Sequence, residues 1–359
     1  MDVTHAVTIN GDDTTYLYLA VRDGNGPWTK LDPTATSIEV HDDYQLIAAC
    51  GDATNGFETI IQGATVADGN SVELPCFAFA PTPTVTASGT MVQAGTVAIG
   101  LSQSSTTPNW PFSFDVSTGA HSLLAIGGGK AIVQRGLDFE ANTTLPDVDA
   151  SSGTTLGSTT FTLDHAAPGA TTRARLTAFI QPDFMFMPSA PGTTIQPLPA
   201  SLLQAGDTQT LGLTAQTPTT AQFASVDPAK TSTTTLELLP ALTDVTFTNG
   251  KAAWSSAIPA GNVELDAFVI DTIATFTHIQ GTASWIGSKT SLAIDTTDIP
   301  GFMSEWLADT SAANLSFSVS TTVSSVFLET EATPPATSVA PDARSFRARR
   351  RSQDRLRGR

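Results

Sequence analysis

Histidine and serine, the side chains that most often take part in catalysis, do not occur in a catalytic pattern. The five histidines stand at positions 5, 41, 121, 165 and 278, and none begins a His-Glu-x-x-His zinc motif. No Gly-x-Ser-x-Gly elbow marks a serine hydrolase. Carboxylates that could form the acid pair of a glycosidase are present, but they are equally expected in any acidic protein. The sequence therefore predicts that the protein is not an enzyme, and it offers no catalytic residue.

The segment Gly127-Gly128-Gly129-Lys130 is glycine-rich and ends in lysine, as a phosphate-binding loop does, but its neighbours do not fit that motif. The Walker pattern requires a glycine where Leu124 stands and a serine or threonine directly after the lysine, where Ala131 stands. The flanking residues alternate between apolar and polar as strands do. The segment is therefore interpreted as a glycine-rich β-turn.

Calcium is the one cofactor that the acidic loops leave open. Asp23-Gly24-Asn25-Gly26 begins like a calcium loop, but Pro27 and Thr34 occupy the fifth and twelfth positions, so a simple turn is predicted. The pairs Asp12-Asp13, Asp42-Asp43 and Asp295 with Asp298 could supply oxygen ligands at loop ends or lie in solvated turns. No cofactor is therefore predicted, and calcium at these loops is the alternative.

The chain has two cysteines, Cys50 and Cys76, each within or at the end of a strand-like run. A disulfide between them would stabilise the fold by about 3 kcal/mol, because it lowers the conformational entropy of the unfolded chain. It would also require an oxidising compartment. The alternative is two buried thiols, and two cysteines cannot form a four-cysteine zinc site.

The five tryptophans are the side chains with which a sugar-binding face would stack. Trp110 stands between Asn109 and Pro111 and is predicted to lie in a loop, so it is the candidate for ligand stacking. The alternative is packing in a core, where most tryptophans are largely buried.

Charge divides the chain into an acidic body and a basic end. The net charge is −17, but residues 344–359 contain eight arginines and one aspartate, which leaves −24 for residues 1–343. Such a body repels nucleic acid and anionic membrane surfaces. The segment Arg344–Arg359 has two interpretations: an arm that neutralises the phosphates of a nucleic acid, or a disordered end.

Apolar residues alternate with polar ones in short runs that Gly, Pro, Asn and Asp interrupt, which predicts strands throughout. Asn249-Gly250 between two such runs predicts a two-residue hairpin. The prediction is an all-β chain of serial β-sandwich modules of immunoglobulin-like or carboxypeptidase regulatory-like type, with a disordered C-terminal tail. The predicted units are an N-terminal module over 1–81, a sandwich over 82–149, a larger domain over 150–330 and a disordered tail over 331–359.

Neither end of the chain suggests insertion into a membrane. The segment Met1–His5 lacks the basic and apolar regions of a signal peptide, and no apolar stretch reaches the roughly 18 residues needed to span a bilayer. No transmembrane segment is therefore expected. The visible start is consistent with a cytoplasmic protein or with a trimmed or internal start.

Residues 84–148 resemble the carboxypeptidase regulatory-like domain. The resemblance depends on Ala87–Val92, Gly95–Ile99, Phe112–Val116 and Gly119–Ala125. His121 stands where the family commonly has tyrosine, and the family's polar turn before the Phe-Ser-Phe strand is missing. The first module, from Leu19–Trp28 through Tyr44–Cys50 to Leu74–Cys76, is similar to the opening of uncharacterised bacterial envelope proteins, often lipoprotein-like. These resemblances imply export and a structural or binding role.

The sequence therefore predicts a non-enzymatic protein of the cell envelope or extracellular space. It would act as a scaffold or as a binding module for a carbohydrate or a protein ligand. One alternative is a viral or phage-like coat protein with an arginine-rich nucleic-acid arm, and another is a glycoside-active enzyme.

Overall fold

Short β-strands joined by turns make up nearly all of the regular structure. The computed structural model describes residues 4–10, 16–52, 56–74, 84–218, 220–227, 234–240, 245–248, 251–254, 262–270, 274–293, 298–308, 314–320 and 324–330. Within these ranges the helical turns are α1 (Ala283–Ile286) and the 3₁₀ turns Val66–Asp68, Ala150–Ser152, Ala200–Leu202 and Ser304–Trp306. No helix in these ranges has the length and apolarity that a bilayer crossing requires. The prediction of an all-β chain is confirmed, whereas the tail over 331–359 lies outside the described residues.

The strands fall into three consecutive segments of the chain. The first contains β1 (His5–Asn10), β2 (Tyr18–Asp23), β3 (Trp28–Lys30), β4 (Ser37–Val40), β5 (Asp43–Asp52), β6 (Gly56–Thr65) and β7 (Ser71–Glu73). The second contains β8 (Thr84–Met91), β9 (Gly95–Ile99), β10 (Leu101–Ser105), β11 (Trp110–Ser117), β12 (Gly119–Gly127), β13 (Lys130–Phe139), β14 (Thr143–Thr144) and β15 (Thr154–Thr155). The third contains β16 (Thr159–Thr160), β17 (Thr162–Asp164), β18 (Thr171–Ile180), β19 (Asp183–Phe186), β20 (Ala190–Pro191), β21 (Thr194–Ile195), β22 (Thr208–Gln216), β23 (Ala221–Val226), β24 (Thr235–Glu237), β25 (Thr246–Thr248), β26 (Lys251–Ala253), β27 (Asn262–Ile270), β28 (Ala274–Thr282), β29 (Ser291–Ala293), β30 (Asn314–Ser320) and β31 (Ser324–Thr330).

A 13-stranded sheet joins the first and third segments, in the order β19-β18-β22-β23-β31-β30-β27-β28-β6-β5-β2-β3, with β20 also paired to β18. Its described neighbours are antiparallel except at one seam, where β6 and β28 run parallel and pair from Phe57 with Thr275 to Gly63 with Gly281. This seam pairs a strand of the predicted first module with a strand of the predicted third domain. The three-module division itself stays a prediction.

The first segment packs a small sheet onto the long one. Strands β4, β1 and β7 form this three-stranded sheet. Its apolar residues Val7, Ile38 and Val72 pack with Leu46 and Ile60, which lie on one face of the long sheet. Side chains one position away, such as Ile47 and Ile61, belong to a separate apolar cluster. Both faces of β5 and β6 are therefore buried, which explains their nearly continuous apolar runs.

The second segment encloses its core between two sheets, one of order β10-β9-β12-β13-β15 and one of order β11-β8-β14. Only Thr118 separates β11 from β12, and the chain changes sheet there instead of turning back on itself. Phe112, Phe114 and Leu123 pack in the shared core with Phe139. The prediction of an immunoglobulin-like or regulatory-like β-sandwich for this segment stays a prediction.

The second segment also packs against the third. Ala98, Leu124 and Ala131 join a different apolar cluster, which includes Leu176 and Leu213 of the long sheet. Strands β9, β12 and β13 of the five-stranded sheet therefore have side chains in both apolar clusters, one on each face.

Candidate functional site

An open cleft lies on the long sheet where β2, β5 and β28 approach the segment around α1. Its volume is about 500 Å³. The described residues that line it are mostly polar, namely Arg22, Gly24, Asn25, Asp43, Gln45, Ser288, Lys289 and Ser291, with Ile279, Trp285, Leu292 and Ala293 between them. A cavity of about 140 Å³ adjoins it, shares Arg22 and Gln45, and extends to Trp28 and Asp298. We refer to the two together as the cleft.

The floor of the cleft is the polar end of an otherwise apolar row. Side chains at every second position of a strand share a face, so Arg22 follows Tyr18 and Ala20 on one face of β2. Tyr18 and Ala20 are buried in the apolar cluster, together with Ile47 of β5. Arg22 pairs directly with Gln45 across the two strands. The alternation that buries the first two residues therefore places the guanidinium and the amide side by side in the cleft.

One wall of the cleft is the indole ring of Trp285, which lies flat on two glycines. Gly63 and Gly281 are cross-strand partners at the parallel seam. A Cβ atom on either glycine would come within 2.3 Å of a ring carbon. Trp285 is only 6% exposed. The ring can occupy this position only because both strands lack a side chain beneath it.

The short helix that carries Trp285 is fixed to the end of β6 by Asp68. The hydroxyl groups of Thr282 and Ser284 donate to the Asp68 carboxylate at 2.6 and 2.5 Å, and the backbone N–H of Thr65 donates to it at 2.9 Å. Burial by itself would raise the pKa of Asp68, but these hydrogen bonds keep the pKa below its ordinary value. The carboxylate therefore stays ionised and holds the start of α1 against the sheet.

Two cations face the cleft. The Nζ atom of Lys289 lies 4.3 Å from the centroid of the Trp285 ring and donates to the backbone carbonyl of the same tryptophan. Burial lowers the pKa of Lys289, and the negative charge of Asp43 acts in the opposite direction. Arg22 donates from Nε to the carbonyl of Gly26 at 3.0 Å, which orients its guanidinium. The cleft thus offers charged donors beside amide, hydroxyl and carboxylate groups.

A serine, a histidine and an aspartate meet at the boundary between the second and third segments. His121 Nδ1 lies 2.8 Å from Asp183 Oδ1, and its Nε2 lies 3.4 Å from Ser117 Oγ. Nε2 is closer to the Ser117 carbonyl oxygen, at 2.7 Å. Nε2 therefore faces the carbonyl of Ser117 more closely than its hydroxyl, which is not the geometry of a serine nucleophile and its base. The arrangement fastens β12 to β19 instead, and Asp183 also accepts from the Ser122 N–H at 2.6 Å.

A second polar cluster joins the same segments. Arg135 of β13 donates to both carboxylate oxygens of Asp207, at 3.2 and 2.6 Å, and to the carbonyl of Leu202 at 2.9 Å. The backbone N–H groups of Gln204 and Gln181 donate to the same carboxylate. Burial alone would raise the pKa of Asp207, but Arg135 and these amides hold the pKa below its ordinary value. The Asp207 side chain is 1% exposed, so this is an interior ion pair.

The parallel seam contains a buried acid–histidine group. Glu58 is fully buried on β6, and its Oε1 lies 3.1 Å from His278 Nε2 on β28. The other ring nitrogen lies 4.0 Å from Glu264 Oε1 on β27. Sequence reasoning missed this group, although a glutamate inside the apolar run from Phe57 to Ile61 was a signal for it. Among the described residues no three potential ligands are placed to hold a metal ion.

The structure places the predicted stacking residue in a core. Trp110 begins β11 instead of lying in a loop, and it is 8% exposed. Its indole N–H donates to the Gln93 carbonyl at 3.1 Å, and its ring contacts Phe112. These contacts correspond to the core-packing alternative.

The cysteine prediction lies partly outside the described residues. Cys50 is 1% exposed on β5, next to Glu58 of β6. Cys76 is outside the described ranges, and no disulfide joins two described residues, so the Cys50–Cys76 bond stays a prediction.

The candidate phosphate-binding and calcium-binding loops form turns wherever the structure describes them. Gly128 and Gly129, with φ of 59° and 74°, close the two-residue turn between β12 and β13, as predicted. Asp23 accepts from the His41 backbone N–H at 3.1 Å and also contacts its ring. Burial would raise the pKa of Asp23, but the bonds from His41 keep the pKa low. The pair Asp12-Asp13 and Asp295 lie outside the described residues, and Asp43 and Asp298 line the cleft.

The chain matches no protein-family model and no curated protein sequence. The resemblances to the carboxypeptidase regulatory-like domain and to envelope proteins therefore stay predictions.

Proposed function

We propose that the protein is a non-enzymatic binding protein of the cell envelope or extracellular space, and that its cleft holds a carbohydrate. The observation that supports this is the convergence of hydrogen-bonding side chains in one cleft of about 500 Å³. Binding sites for small molecules commonly have volumes of this order. A saccharide needs both donors and acceptors around its hydroxyl groups. Arg22 supplies donors, Asp43 supplies acceptors, and Gln45 and Asn25 supply both.

Binding is preferred to catalysis because of what the cleft lining contains. The described lining residues include no histidine, the side chain that most often activates a serine, and no cysteine nucleophile. The serine–histidine–aspartate cluster lies elsewhere, and its histidine is bonded to a carbonyl. The proposed compartment depends on the predicted Cys50–Cys76 bond and on the resemblance to envelope proteins.

The test is a screen of the full-length chain against an array of neutral and acidic oligosaccharides, followed by calorimetry on those that bind. Gln45→Ala should weaken binding about tenfold or more, because a buried ligand hydroxyl loses its partner. Gln216→Ala is the matched control, since Gln216 is exposed at the far end of β22. Absence of binding to any saccharide, or equal losses in the two variants, would reject the proposal.

A further inference from the structure

Positive charge is scarce in this protein, and the cleft contains an unusual share of it. Residues 1–343 include only nine lysines and arginines for 33 acidic side chains. Two of the nine, Arg22 and Lys289, line the cleft against two carboxylates, Asp43 and Asp298, so cations equal carboxylates here although they are outnumbered more than three to one in residues 1–343. The interior Arg135 is already neutralised by Asp207. The cleft is therefore less negative than the rest of the protein surface, and this favours a ligand of negative charge there.

The described hydrogen-bond partners of the two cations are neutral backbone carbonyls. Arg22 donates to the carbonyl of Gly26, and Lys289 donates to the carbonyl of Trp285. Neither forms an ion pair with a carboxylate in the described part of the chain. Burial lowers the pKa of Lys289, so an anion placed beside it would favour its protonated form.

The position of Lys289 also argues against a neutral sugar stacked on the tryptophan. Its ammonium group lies 4.3 Å from the centroid of the Trp285 ring. Little of the ring remains accessible, since Trp285 is 6% exposed and its other side lies on Gly63 and Gly281. A ligand that approaches this wall therefore meets an ammonium group instead of an aromatic face.

Resting on the proposed function, we infer that the saccharide is acidic: a uronate whose carboxylate is bound by Lys289, with Arg22 as the second cation of the cleft. Gln45, Asn25 and Asp43 then bind its hydroxyl groups. A charge-assisted hydrogen bond to a carboxylate is roughly twice as strong as a neutral one, so the acid group should dominate selectivity.

The inference is tested by calorimetry on the full-length protein with uronate disaccharides, digalacturonate among them, each compared with its neutral methyl ester. The acid should bind about tenfold more tightly than the ester, and the difference should shrink as salt is added. Lys289→Gln should reduce binding of the acid to the level of the ester, whereas Lys289→Arg should preserve the preference. Lys130→Gln is the matched control, because that lysine also donates to a carbonyl, that of Ser151, but lies in the second segment. Melting curves confirm that each variant is folded.

The outcomes separate this inference from the proposed function. If acid and ester bind equally, or if Lys289→Gln leaves the preference intact, the uronate inference is overturned while carbohydrate binding stands. If no saccharide binds, neutral or acidic, both are overturned.

Discussion

Replacing Gly63 by alanine places one methyl group against the ring of Trp285. The new Cβ would lie 2.3 to 2.6 Å from three ring carbons, whereas carbons in contact are ordinarily separated by about 3.5–4 Å. The ring, or the strand beneath it, must therefore move by roughly 1 Å or more. Gly63 has no positive φ, so alanine introduces no backbone strain. We expect a loss of about 1–3 kcal/mol in the free energy of unfolding, the usual range for overpacking.

Urea unfolding followed by tryptophan fluorescence measures this loss. The matched control is Gly212→Ala on β22, where the nearest atom to a new Cβ is the Arg175 carbonyl oxygen at 3.8 Å. That change should be neutral or slightly stabilising, because alanine suits a strand better than glycine. Trp285→Ala should remove most of the added cost of Gly63→Ala in a double-mutant cycle. If Gly63→Ala and Gly212→Ala change the free energy of unfolding by the same amount, the close contact between Gly63 and the Trp285 ring does not limit the residue at position 63.

Three further changes test the polar clusters. Asp207→Asn should lower the urea midpoint at neutral pH. Since the pKa of Asp207 is depressed in the folded state, the wild type should lose this stabilisation as the pH falls below about 4. If the variant and the wild type show the same dependence of stability on pH, the Asp207 carboxylate does not stabilise the fold through its ion pair with Arg135. His278→Ala should cost about 3–5 kcal/mol in chemical denaturation, because it removes the imidazole that pairs with the fully buried Glu58, and a loss below about 1 kcal/mol would count against that pairing. Ser117 should not be labelled by a fluorophosphonate probe, and labelling that disappears in Ser117→Ala would show that its neighbouring histidine is a working base.

Sequence patterns predicted the structural features that depend on residues close together in the chain, namely strands and tight turns. The alternation of apolar residues predicted an all-β chain, because strand periodicity is local. Two-residue turns also follow from local chemistry. Thr248 pairs with Lys251 on either side of Asn249-Gly250, and those two residues, on which the hairpin prediction falls, lie outside the described ranges.

Long-range pairing and the cleft could not be predicted, because no local signal encodes them. The partner of β6 lies more than 200 residues away, and an apolar run does not reveal which edge it will meet. Arg22 lies near the end of β2 and Lys289 follows α1, more than 260 positions later in the sequence. Only the order β28-β6-β5-β2 of the long sheet brings them together. Trp110 was misplaced in a loop because Pro111 suggested a break, but proline is tolerated within an edge position of a sheet.

The seam between β6 and β28 has a consequence for biosynthesis. While the ribosome is still adding the middle of the chain, β5 and β6 can pair, but the outer margin of β6 has no strand to accept its hydrogen bonds until residues 275–281 emerge. Unpaired strand edges are sites at which separate chains aggregate. Truncated products that end before residue 275 should therefore depend on chaperones, or form intermolecular sheets, more than the complete chain does.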